Sequence, residues 1–363
     1  MRATSSSRFA RAAVAVLILA LMMLTETSAV AAPTSTPTIA YPAPGLLEGS
    51  GLAASVRHPG VIWVMEDSGD PVVHGYDPTG AEVATVTMLP TGSDDTWGGD
   101  IRDAEALAMG PGPTLWVADI GDNNAVRESV VVHEVPEPAD LGPTSVAVKS
   151  YRFTYPAGPR DAETYLVDPT DGRAYIVTKG LFGGGLYAAP STLTPNATHE
   201  LIFVQNTPAI ISDGAFSADG AHVVLRETGF GTSSKAFIYD VRHGAPGEPI
   251  ALAADPVEVE LPDQTQGESV CFTPDGTALL IGSEGEDEPI WSVPLPTTAH
   301  PSDSASTAST SPPHSQASSP PTAGGAVSGA EDHTAATAVV GGIAVVLALG
   351  LIVAARRRRS ANR

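Results

Sequence analysis

Between Leu47 and Pro296 the apolar residues fall in short runs broken by Gly, Pro and Asp, and no stretch holds a long 3.6-residue apolar period. Such runs predict β-strands joined by tight turns and leave little room for helix. The runs also recur as a unit. One copy starts at Ser50, turns at Pro59-Gly60, and continues through "VIWVMEDSGD" and "VVHGYDP". A second starts at Glu105, turns at Gly112, and reads "LWVADIGD" and "VVVHEVP". A third starts at Glu163, turns at Asp171-Gly172, and reads "AYIVTKG" and "LYAAP". The fourth starts at Asp213, turns at Asp219-Gly220, and reads "HVVLRETG" and "AFIYDV"; the fifth starts at Glu268, turns at Asp275-Gly276, and reads "ALLIGSEG" and "IWSVP". The starts lie 50 to 58 residues apart. Each turn carries a glycine, which reaches the positive φ a tight hairpin needs.

A weaker fourth run follows in "EVATVTML", "VAVKSYRFTY", "HELIFVQ" and "VEVEL". Four antiparallel strands repeated at this period predict the blades of a propeller. The fold expected is therefore an all-β, five-bladed β-propeller over residues 33–296. The fifth unit lacks a fourth run, and Thr38–Pro42, ahead of the first unit, is free to supply it and cover an open edge. Six blades is the alternative, with the extra strands in Thr91–Arg102.

The flanks read differently. Residues 1–31 carry Arg2, Arg8 and Arg11, an apolar core from Ala13 to Leu24, and the small-x-small site Ala29-Val30-Ala31, the pattern of a secretory signal peptide. Residues 297–334 are Ser/Thr/Pro-rich and hold too few large apolar side chains to fold, so a disordered stalk is expected. Residues 335–355 are apolar over a length that spans a bilayer, and Arg356–Arg359 open a basic tail, residues 356–363, that holds that end in the cytoplasm. This predicts a single-pass cell-membrane protein with its N-terminal domain outside. Between Pro33 and Ala335 stand 11 Lys and Arg against 40 Asp and Glu, a formal charge of −29. Nucleic acid and anionic lipid are poor partners for such a surface. The one cysteine, Cys271, permits no internal disulfide, predicts no disulfide-linked partner, and reads as a small buried apolar residue.

If the first strand of each unit is innermost, its leading residue faces the central channel. Those residues are Ser50, Glu105, Glu163, Asp213 and Glu268; two positions earlier, on the same side of the strand, stand Glu48, Asp103, Asp161, Ile211 and Gln266. Loops after the second strands add Glu66, Asp67, Asp70, Asp119, Asp122, Glu227, Glu284 and Glu286. Converging carboxylates need either a hard cation such as Ca²⁺, with Glu48, Asp103, Glu105, Asp161, Glu163, Asp213 and Glu268 as candidate ligands, or local cations. Arg102, Arg160, Arg226 and Lys179 lie near in sequence to fill the second role, with amide-bonded, strand-capping acids as its corollary. No linear calcium loop of the D-x-[DN]-x-[DN]-G kind occurs.

The stretches "EGSGLAASVRHPGVIWVMEDSGDP", "DAEALAM", "TLWVADIGDNN", "GPRDAETYLVDPTDGRAYIVTKG" and "QGESVCFTPDGTALLIGSEG" resemble secreted bacterial propellers of the SdiA-regulated type and the propeller-phytase and phytase-esterase-like domains. The most specific pieces are the D-x-G-D loops, Asp67 to Asp70 and Asp119 to Asp122, and the D-A-E starts at Asp103 and Asp161. The resemblance covers most of Leu47 to Pro296 and implies calcium at the channel mouth. Few Lys or Arg are present to hold a polyphosphate. Neither G-x-S-x-G, H-E-x-x-H nor a phosphate-binding G-x-x-x-x-G-K-[ST] occurs. His74 and His133 fall on third strands, where packing or a satisfied hydrogen bond is the expected role. Two functions follow: a surface binding or interaction module whose acidic face, with the loop residues Asp67, Asp70, Asp119, Asp122, Arg226 and Glu284, takes a cation, an extracellular ligand or a protein; or a calcium-dependent hydrolase of a phosphoester or lactone with Glu105 or Glu163 as base.

Overall fold

The computed structural model describes residues 36–42, 49–67, 69–90, 102–228, 234–285 and 288–296. Among them there is no helix, and so none long and apolar enough to cross a membrane. The expected signal peptide, stalk, membrane segment and basic tail lie outside the described residues, as does most of Thr91–Arg102, on which the sixth-blade alternative depends.

Among the described residues β1 (Thr38–Tyr41) comes first, followed by five antiparallel groups. The first holds β2 (Gly49–Ala54), β3 (Ile62–Glu66), β4 (Val72–Tyr76) and β5 (Glu82–Pro90); the second β6 (Ala104–Gly110), β7 (Thr114–Asp119), β8 (Val130–Pro136) and β9 (Pro143–Thr154). The third holds β10 (Ala162–Val167), β11 (Ala174–Thr178) and β12 (Gly184–Ala188), followed by β13 (Thr198–Glu200) and β14 (Ile202–Thr207). The fourth comprises β15 (Ile211–Phe216), β16 (His222–Thr228), β17 (Ser234–Arg242), β18 (Ala251–Leu252) and β19 (Val257–Glu260); the fifth β20 (Gly267–Phe272), β21 (Ala278–Ser283) and β22 (Ile290–Pro294). The first-to-second-strand turns fall where the pattern put them: Gly60, Gly112, Gly172, Gly220 and Gly276 all have positive φ, between 67° and 86°.

β1 is the fourth strand of the last group. It pairs antiparallel with β22, Ile39 opposite Trp291, so the two ends of the described domain close on each other. The first strands pack in a cycle, β2 against β6, β6 against β10, β10 against β15, β15 against β20, and β20 against β2. This is an all-β propeller arrangement. Crowding at the axis explains the small residues of "GSGLAA": a Cβ on Gly51 would stand 2.6 Å from the Leu107 nitrogen.

The core sits between successive groups rather than within any one. Trp63, Val86, Leu107 and Val117 join the first group to the second; Trp116, Phe153, Tyr165 and Ile176 the second to the third. Tyr175, Leu186, Val223 and Phe237 join third to fourth, and Ile238, Val270, Phe272 and Ile281 fourth to fifth. Tyr41, Leu52, Ile62, Cys271 and Ile290 close fifth to first, which places Cys271 as the small buried residue expected. A polar link supports the first contact. Buried Glu137 accepts the Trp63 indole N–H at 2.8 Å and the Ser55 hydroxyl.

Two parallel pairings depart from the antiparallel repeat: β13 lies beside the end of β9, with Thr198 opposite Arg152, and β5 beside its start. Beyond its contact with β8, the long β9 runs parallel to β5, from Thr85 opposite Pro143 to Pro90 opposite Val148. The outer strands of the first two groups thereby form one continuous sheet.

The closing strand is held by Tyr41, whose ring is buried and whose hydroxyl donates to the Gly60 carbonyl at 2.9 Å. Tyr41→Ala empties that space, and large aromatic truncations in cores cost about 3–5 kcal/mol. Urea unfolding should show a loss of about 3 kcal/mol; a loss under about 1 kcal/mol would mean that β1 does not close the ring.

Candidate functional site

The five inner strands share a defect at the end where they begin. In each, the register with the second strand slips by a bulge: between Gly49 and Gly51, Ala104 and Ala106, Ala162 and Thr164, Ile211 and Asp213, and Gly267 and Val270. A bulge leaves a residue out of the ladder and re-aims its side chain. The residues so placed are Ser50, Glu105, Glu163, Ser212 and, in the wider fifth slip, Glu268 with Ser269. The fourth unit therefore differs from the expected register. Ser212 holds the ring position, and Asp213 takes the place of Gly51, Ala106 and Thr164, where its Oδ2 accepts the Val270 amide of the next group at 2.7 Å.

Glu105, Glu163 and Glu268 are buried and act on one another electrostatically, so three of the expected ring acids do meet at one mouth. Lys179, which follows β11, bonds Glu163 directly. Burial works against its charge, but Glu163, Glu268 and Glu105 together hold Lys179 above the usual lysine value. Burial pushes Glu163 up to about 8, with Lys179 opposing and Glu268 adding to the rise. Glu105 lies well above the carboxylate range, through burial first and then the like charges of Glu163, Asp103 and Glu268. One ammonium among three buried carboxyls cannot neutralise them all. Lys179 stays charged against Glu163, and the mouth keeps a proton that we place on Glu105.

The second tier is also resolved in part. Asp103 sits beside Glu105, and burial followed by Asp161 raises its pKa; the Gly121 amide donates to the Asp103 carbonyl at 2.9 Å. Asp161, raised by burial, accepts the Asp122 amide on Oδ1 at 2.9 Å. Gln266 donates to Glu268 at 3.2 Å and to Glu284. Glu48 and Glu286 lie outside the described residues.

The loop acids divide by role. Asp119 is buried and pairs with Arg127 at 2.7 Å, while Asp122 accepts the amides of Val126 at 2.9 Å and Arg127 at 2.7 Å. Both brace their loop. Asp67 uses its carbonyl to receive the Ala104 amide of the next group at 2.7 Å, and Asp70 is exposed. Arg160 lies over the Tyr187 ring at 5.8 Å, and Arg102 reaches Asp119 through its backbone amide at 3.2 Å. Arg127, three residues past the "GDNN" loop, escaped the sequence reading although it supplies the charge opposite Asp119.

Arg226 is not on an open face. It is 0% exposed, and its guanidinium donates to the carbonyls of Ser269 at 2.9 Å and Gly282 at 2.8 Å and to Gln264 Oε1 at 2.7 Å. Burial lowers it to about 10, against the pull of Glu268 and Asp213. The arrangement needs Gly267: any Cβ there would overlap the guanidinium. Arg226 is a cation built into the wall between the fourth and fifth groups. Of the third-strand histidines His133 packs in the interior and His74 is held by a hydrogen bond. His133 is buried, held to about 4 by burial, and shares a hydrogen bond with Ser150 at 2.9 Å; His74 bonds Glu82 at 2.7 Å.

Among the described residues no three His, Cys, Asp or Glu side chains are grouped to hold a metal ion. The oxygen donors that calcium prefers are present, but Glu163 is committed to an ammonium, so as they stand these residues do not form a resident calcium cage.

No protein-family model matches the chain, and no curated protein matches it. Among solved structures it is similar to XC5397 from Xanthomonas campestris, a gluconolactonase important in glucose secondary metabolic pathways, at 11% identity and a TM-score of 0.37 over 68% of this chain and 71% of that one. It is also similar to Kuenenia stuttgartiensis hydrazine synthase, at 13% identity and a TM-score of 0.34 over 66% of this chain and 75% of that one. The propeller arrangement stands on the strand order of the chain itself.

Two measurements test this geometry. In the folded chain the coupled carboxyls Glu105 and Glu163 are together pushed up, Glu163 to about 8, and Asp103, Asp161 and Asp213 shift the same way, so the cluster keeps protons that unfolded glutamates release near 4.5. The folded state then binds more protons across that window, so its stability falls as pH rises from about 4.5 to about 8. Melting temperatures across that range should decline, and Glu105→Gln should flatten the decline; a rise would contradict the buried cluster. Gly267→Ala should cost about 2 kcal/mol or more by displacing Arg226, and a neutral result in urea unfolding would dismiss that staple.

Proposed function

We propose that the chain is a five-bladed propeller acting as a binding module, displayed outside the cell on a stalk and a single membrane helix, whose ring mouth takes a cationic ligand. The observation that carries this is the charge balance at the mouth. Among the described residues Asp103, Glu105, Asp161, Glu163 and Glu268 act on Lys179 and Arg127, while Arg226 acts on Glu268 and Asp213 from within the wall. A buried acid that keeps a proton for want of a partner is a place where an incoming cation gains by replacing that proton. Calcium is one such cation. Here it has to compete with Lys179, so its contribution is a titratable one, present at raised calcium and absent without it.

A second reading has one observation in its favour. Glu105 and Glu163 are buried carboxyls whose proton affinity is raised toward neutrality, as general acids and bases require. On that reading the mouth hydrolyses a phosphoester or lactone, with calcium when bound polarising the substrate and Glu105 or Glu163 moving the proton.

Thermal melting of the purified full-length chain with calcium chloride or pentalysine separates these readings. Binding raises the melting temperature, more at pH 8 than at pH 6 because the displaced proton is scarcer in solution, and Glu105→Gln blunts the difference. A calcium shift names the metal. Turnover of lactones or phosphomonoesters lost in Glu105→Gln replaces the binder with the hydrolase. No shift with either cation at either pH contradicts the binding reading.

A further inference from the structure

The rim of the mouth carries two apolar tips, and Asp161 ties both to the acids beneath. Its Oδ1 accepts the Asp122 amide at 2.9 Å, and its carbonyl accepts the Lys179 amide at 2.9 Å. From Asp122 the chain turns to Val126, 70% exposed, whose amide donates back to Asp122 at 2.9 Å. From Lys179 it turns through Gly180–Gly183 and presents Leu181 and Phe182, the phenyl ring 98% exposed. That turn is fixed. The Gly183 amide donates to the Gly180 carbonyl at 3.3 Å, the same carbonyl accepts the Ile210 amide at 3.0 Å, and the Gly184 amide donates to the Pro208 carbonyl at 3.2 Å.

A second feature of the mouth points to a missing donor. The Ser50 hydroxyl, at the ring position of the first group on a residue 1% exposed, has no hydrogen-bond partner among the described residues. Buried acceptors left open cost stability until something donates to them.

Building on the cation-binding reading above, we propose that this rim docks a partner protein through a segment in which a Lys or Arg is flanked by apolar side chains. The basic group enters among Glu105, Glu163 and Asp161, and the apolar residues pack on Phe182, Leu181 and Val126. A lone aromatic on a rigid turn is the kind of residue that dominates a protein interface, since little freedom is lost when it is covered. A formal charge of −29, from 11 basic and 40 acidic residues between Pro33 and Ala335, selects a basic protein over an anionic membrane as the occupant.

The test uses the full-length chain and three fluorescein-labelled octapeptides, alternating Lys–Leu, Lys–Ser and Glu–Leu, read by anisotropy at pH 8. The Lys–Leu peptide should bind about tenfold more tightly than Lys–Ser, and Glu–Leu should not bind. Phe182→Ser should bring Lys–Leu down to the Lys–Ser level with an unchanged melting temperature, and Glu105→Gln should weaken both. If both lysine peptides bind in a Glu105-dependent way while Phe182→Ser changes nothing, this inference falls and the cationic mouth survives. If no lysine peptide binds and calcium gives no melting shift, both fall. Binding of neutral phosphatidylcholine vesicles through Phe182, without peptide, would assign the tips to a membrane and overturn the proposal.

Discussion

Like charges brought to a common axis out of water cannot all remain ionised, and the rest of this mouth follows from that constraint. The inner strands meet because each is flanked by the next, and each bulge turns one side chain out of the ladder at the same end. Glu105, Glu163 and Glu268 then share one small region with Lys179. Arg226 belongs to the same balance. It is fully buried, donates to two carbonyls and Gln264, and lends its charge to Asp213 and Glu268 from behind the wall. Two glycines make room: Gly267 for the guanidinium and Gly121 for the Asp103 carboxylate, which a Cβ there would overlap.

Much of the scaffold was legible because its signals are local. Period-two apolar runs, a positive-φ glycine in every first hairpin, and an unpaired run at Thr38–Tyr41 each act within a few residues, and the structure places them as strands, turns and the closing strand. The registers were not legible. A bulge adds a residue without altering the apolar pattern, so the fourth unit looked as though it began at Asp213, whereas Ser212 stands in the ring and Asp213 faces the fifth group. Nor does any local pattern mark the parallel pairing of β5 with β9, which depends on how two neighbouring groups diverge.

The candidate site divides along the same line. That acids gather at one end could be read from their position at strand starts. Their partners could not, since those are set by the folded chain. Asp119 and Asp122 look from sequence like ligand-facing loop acids, yet they spend their oxygens on Arg127 and on loop amides. Arg226 looks like a surface base and is wholly enclosed. What is left in excess of its local cations is a smaller buried set centred on Glu105, Asp161 and Glu163, with Lys179 the one cation bonded within it, and that set carries the functional reading.

The central claim is that a carboxyl at this mouth stays protonated at neutral pH beside a charged lysine. Infrared difference spectroscopy of the carboxylic C=O stretch observes it directly. The account predicts a protonated-acid band that persists at pH 7 and loses its Glu105 component in Glu105→Gln. Disappearance of every such band by about pH 5, the behaviour of ordinary carboxylates, would contradict it.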